Sequence, residues 1–142
     1  MTNNKASIFK KLIGVWKTEG FIITKKGNSK LVGTDSYEYI LEENYILHKA
    51  DVKMGNERNE TFEIIEADNS THHAKMQYFN SKGESGVMTC LINKNDFRIN
   101  GDKIKFEGLF NDQYNKITGK WYLQTESKRW TEFIDIILTK QN

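Results

Sequence analysis

The chain has 142 residues, with 21 basic and 19 acidic side chains, a net charge of +2 and 37% hydrophobic residues. That length suits one domain, residues 1–142, around one core, and that apolar share excludes a disordered polymer. The near-neutral balance, without a basic run interleaved with aromatics, speaks against a nucleic-acid partner. No apolar run approaches the ~20 residues of a membrane helix, so no membrane partner is expected. A lone cysteine, Cys90, allows no intrachain disulfide, and residues 1–9 lack the apolar stretch of a signal peptide. Both features fit a cytoplasmic protein.

Residues 7–13 read as a short helix, with Ile8, Phe9, Leu12 and Ile13 at helical spacing and Gly14 as its stop. From there alternation takes over, and a composition with 12% aromatics and no proline favours strands. Residues 15–24 put Trp16, Thr18, Gly20 and Ile22 on one face. Residues 31–54 read as a long hairpin turning at Glu43-Asn44. That turn pairs Leu41 with Ile46, Tyr39 with His48, Tyr37 with Ala50 and Asp35 with Val52. It faces Glu38 and Lys49 to solvent as a cross-strand charge pair. Asp35, Tyr37, Tyr39 and His48 then share the inner face.

Further strands follow at hairpin spacing. Residues 60–67 carry Phe62 and Ile64 on one face, and residues 68–70 turn. Residues 71–79 place His72, Ala74, Met76 and Tyr78 together. Strands are also expected at 85–92, 96–100, 103–110, 117–125 and 130–140. Trp121 shares a face with Ile117 and Gly119, and Ile134, Ile136 and Leu138 face inward in the last strand. About ten short strands with short connections predict an all-β, antiparallel up-and-down β-barrel with a short N-terminal helix.

The run Gly14-Val15-Trp16 after a helix resembles the GxW opening of lipocalins and the wider calycin superfamily. The segments GVWKTEG, GTDSYEY, YFNSKG and ITGKW more specifically resemble the DUF1579-type lipocalin-like bacterial proteins, from about Phe9 to Lys140. The resemblance implies a barrel with a small cavity, and the family brings no agreed activity. It also implies a basic residue over the GxW tryptophan, with Arg129 or Lys140 as candidates. The His-centred haem pattern of nitrobindin-like barrels is absent, so no cofactor is expected.

The candidate ligand-binding residues are Tyr37, Tyr39, His48, His72, Tyr78 and Trp121. Tyrosine hydroxyls and imidazole offer polar anchors to a ligand, or they are satisfied core groups. His72 and His73 are adjacent and point to opposite faces of a strand. A site built from His48 and His72 with Glu66 or Asp35 has no supporting spacing, so no metal is expected. Cys90 reads as a buried small hydrophobe. No catalytic motif is present.

The reading these residues support is a module that binds a small apolar or amphipathic molecule. One alternative is an isomerase or cyclase using His48 as base with Tyr37 or Tyr39. Another is a homodimeric interaction protein using Leu47, Ile65 and Leu109 on an outer face.

Overall fold

In the computed structural model, residues 7–67 and 72–142 are described, residues 7 and 8 by their backbone alone. A 3-10 turn, η1 (Ser7–Leu12), leads into ten strands. These are β1 (Gly14–Thr24), β2 (Gly27–Ile40), β3 (Tyr45–Met54), β4 (Glu57–Ala67) and β5 (His73–Asn80). The second half comprises β6 (Ser85–Asn93), β7 (Asp96–Asn100), β8 (Ile104–Phe110), β9 (Lys116–Gln124) and β10 (Trp130–Lys140). Every strand pairs antiparallel with its neighbours in sequence, and β10 returns to β1, so the sheet closes into a barrel without an edge. The turn expected at residues 68–70, and Thr71, lie outside the described residues.

The expected helix is a 3-10 turn, stitched by Ile13 N–H donating to the Lys10 carbonyl at 3.1 Å. Its Phe9 and Leu12 are wholly buried beside Trp16 and fill one end of the barrel. The Trp16 indole N–H donates to the Leu12 carbonyl at 2.8 Å. Of the two basic candidates, Lys140 lies over Trp16, its Nζ 4.9 Å from the ring centroid, and donates to the Lys11 carbonyl at 3.1 Å. Arg129 precedes β10, at the opposite end of that strand.

The β2–β3 hairpin corrects the expected register. Tyr37 pairs with His48, Tyr39 with Ile46 and Asp35 with Ala50. The turn uses four residues, 41–44, instead of two, which slides the pairing by two positions. Because side chains alternate with period 2, a slip of two preserves each residue's face. Glu38 and Lys49 therefore remain outside and meet diagonally at 3.9 Å.

The four-residue turn needs three consecutive left-handed residues, Leu41, Glu42 and Glu43, at φ 52°, 58° and 66°. Asn44 closes it through its backbone N–H and its side-chain amide, both donating to the Leu41 carbonyl. A left-handed L-residue costs roughly 1–2 kcal/mol. Glu43→Gly is therefore expected to raise unfolding stability by about 1 kcal/mol after glycine's greater freedom in the unfolded chain is subtracted. A higher urea midpoint at unchanged slope would register it.

Neighbouring strands approach closely at two glycines. A Cβ on Gly33 would sit 2.2 Å from the Asp51 carbonyl oxygen, and one on Gly20 2.0 Å from that of Asp135. Neither contact is possible for a larger residue, so both positions need glycine for the strands to lie this close. Of the three apolar residues expected outside, Leu109 is exposed and Leu47 is half-buried. Ile65 is buried in the core, because it is Ile64 that faces out.

Candidate functional site

The filled end of the barrel holds Trp16, Phe9, Leu12, Ile46, Ile65 and Ile117, all wholly buried. Beyond it the interior opens into a cavity of about 390 Å³, within the range of small-molecule pockets. Its walls differ in chemistry. On β6–β10 they present Met88, Phe97, Phe106, Trp121, Ile134 and Ile136. On β1–β4 the polar groups Thr18, Asp35, Tyr37, His48, Thr61 and Glu63 stand among the apolar Leu31, Val52 and Met54.

Strand register brings the polar set together. Tyr37 pairs with His48, His48 with Glu63 and Glu63 with Tyr78, so four neighbouring strands place these side chains in one row inside the barrel. Asp35 lies two residues before Tyr37, on the same face. The His48 Nε2–H donates to Asp35 Oδ2 at 2.6 Å, while Nδ1–H donates to Glu63 Oε1. The Thr18 hydroxyl donates to the other Asp35 oxygen, Oδ1. Tyr37 stacks flat on the imidazole, with centroids 4.1 Å apart and planes 4° from parallel. Thr18, Asp35, His48 and Glu63 are all buried.

A carboxylate only accepts hydrogen bonds, so a ring with a carboxylate at each nitrogen is best satisfied as imidazolium. Burial opposes that charge, but Glu63 and Asp35 outweigh it and raise the His48 pKa to about 10. Burial raises the pKa of Tyr37, and the charges of Asp35 and Glu63 add to the effect. Burial likewise raises the Cys90 thiol, with a contribution from Glu63, and the residue is a small buried group without a disulfide.

The arrangement commits both nitrogens of His48 to carboxylates, so neither is left to take a proton from a ligand in the manner of a general base. What the cluster offers is a fixed charge constellation. Each His48 nitrogen is anchored, Tyr37 covers one ring face, and Thr18 holds Asp35.

Four of the six residues expected to meet a ligand line the cavity: Tyr37, His48, Tyr78 and Trp121. Tyr39 is half-buried and packs against the core without lining the cavity. His72 was expected inside on a strand beginning at residue 71. It is instead exposed, just ahead of β5, where its carbonyl accepts from the Ile92 N–H at 3.1 Å. Glu66 is on the outer face, where it pairs with Lys75 at 3.5 Å. Among the described residues no group of three or more His, Cys, Asp or Glu is placed to hold a metal ion.

Glu63, Thr18 and Thr61 were not anticipated as parts of the site. The strand around Glu63, TFEIIEA, has apolar residues on both faces, so alternation does not decide which face is inside. The signal that could have found it is the pairing of Ile46 with Ile65, which fixes the parity of β4 once β3 is placed.

No family model and no curated protein matches the sequence. Among solved structures, the chain is similar to the crystal structure of Rv2717c from M. tuberculosis, with a TM-score of 0.78 over 100% of both chains at 4% sequence identity. No helix among the described residues is long and apolar enough to cross a membrane. At that identity the likeness is one of backbone architecture, and what it supports for this chain is a lipocalin-like β-barrel fold.

Proposed function

We propose that the barrel binds a small amphipathic molecule, with its apolar body on the β6–β10 wall and its polar end at Asp35, His48 and Glu63. The observation that carries this reading is an open interior of about 390 Å³ whose lining is largely apolar, with one charged cluster at Asp35, His48 and Glu63. A void lined by apolar groups and a buried ionic cluster each lower stability relative to a packed core. Their occurrence together supports a role in binding. On the motifs GVWKTEG, GTDSYEY and ITGKW alone we place the chain beside the DUF1579-type barrels, and on its single buried cysteine among cytoplasmic proteins.

Titration with the neutral, environment-sensitive dye Nile red tests the reading. Saturable binding with a blue-shifted emission is expected. Ala50 lines the cavity, so Ala50→Trp should weaken binding at least tenfold. Equal binding to the filled variant would locate the dye on an outer face and sink the proposal.

A further inference from the structure

The chemistry of the cavity also selects the charge of its occupant. Two carboxylates, Asp35 and Glu63, face one imidazole, His48. With His48 as imidazolium the set carries one negative charge in excess. Among the described residues no lysine or arginine lines the cavity to offset that charge. Asp35 is fully engaged, one oxygen by Thr18 and the other by His48, whereas Glu63 is joined to His48 through Oε1. An anionic ligand entering this space would meet a cluster of buried groups with negative charge in excess, and like charges at a buried site repel more strongly than in water. A monocation would bring the set to neutrality and find aromatic faces, Phe106 and Trp121, on the opposite wall.

We infer that the cavity takes amphipathic molecules ending in an ammonium or similar cationic group and rejects carboxylates of the same length. It is the cavity in which two carboxylates face a single imidazole, with no lysine or arginine among the described lining residues, that carries the inference. This rests on the binding reading above, because it concerns the occupant of that same cavity. Glu63 is the specificity-determining residue, contacting the cationic end beside His48.

Three probes of equal chain length separate the possibilities: octylammonium, octanol and octanoate, each below its micelle concentration, competing with Nile red at pH 7. Octylammonium is expected to displace the dye at no more than a tenth of the octanoate concentration, with octanol between them. In Glu63→Gln, which keeps shape and removes charge, the preference should shrink to within about threefold. Asp35→Asn serves the same purpose if Glu63→Gln does not fold. Octanoate competing as well as octylammonium against wild-type protein would overturn the cationic preference and leave the binding reading standing. An undiminished preference in both folded variants would overturn the assignment to these carboxylates. Failure of Nile red and of all three probes to bind, the probes measured directly by calorimetry, would overturn the binding reading and this inference with it.

Discussion

Replacing His48 alone with leucine is expected to destabilise the barrel by about 3–5 kcal/mol. The mutation removes the one cation between Asp35 and Glu63 and leaves two buried carboxylates facing each other. A buried ionised group without a partner costs more than the lost attraction, because it has also given up its water. The combined variant Thr18→Val/Asp35→Leu/His48→Leu/Glu63→Leu should behave quite differently. It removes every member of the hydrogen-bonded set, including the Thr18 hydroxyl that would otherwise lose its acceptor. Its stability is expected to lie within about 2 kcal/mol of wild type, or above it, since apolar residues of similar volume often replace a buried ionic triad without loss. Urea unfolding of both proteins measures the difference. A single variant costing less than about 1 kcal/mol would contradict the ion-paired arrangement. The stable apolar variant should bind octylammonium no better than octanoate, which separates the cluster's role in selection from its role in folding.

Raising the pH from 6.5 to 8.5 should lower wild-type stability by about 2 kcal/mol through His48 alone. In the folded protein the His48 pKa stands at about 10, above the ordinary 6.5. Its stabilising contribution is therefore complete below about pH 6.5, where folded and unfolded histidine are both protonated. Between the two values the folded chain holds a proton that the unfolded chain has lost. Stability then falls with rising pH, at a limiting slope of about 1.4 kcal/mol per unit. Above pH 9 the Cys90 thiol adds loss of the same sign, since its folded pKa is raised by burial and by Glu63, so the window is best kept below that point. Urea midpoints at half-unit steps should reveal the slope in wild type and its absence in His48→Gln. A flat profile in wild type would mean that His48 is not held as a cation.

The fold was legible because alternation in most strands is unambiguous. Trp16 and Thr18 in β1, or Ile134, Ile136 and Leu138 in β10, declare their inner face by spacing alone. The hairpin register was not, since nothing in LEEN announces three successive left-handed residues without glycine. The slip of two nonetheless left Asp35, Tyr37 and His48 on the inner face. The coupling of His48 with Asp35 became visible only when Tyr37, not Tyr39, stood opposite the histidine. Glu63 stayed hidden because a glutamate between Phe62 and Ile64 looks like the polar side of a strand. Phe62, about half exposed, is one of the apolar residues this barrel tolerates outside. His72 is misplaced for a different reason: the strand begins two residues later than the alternation suggests, at His73 and not at residue 71, so His72 belongs to the approach.

The pairing of β10 with β1 has a consequence for synthesis. Lys140 lies opposite Trp16, and the Gln141 N–H reaches the Val15 carbonyl at 2.7 Å, so the first and last strands are hydrogen-bonded neighbours. A nascent chain on the ribosome can form hairpins from β1 and β2 onward, but β1 must wait for β10 to emerge before both of its sides are occupied. Until then the growing sheet has two open edges and an exposed inner face carrying Asp35, His48 and Glu63. Those charges, which weaken the finished core, keep that face wet and unattractive to other chains while the ring is still open.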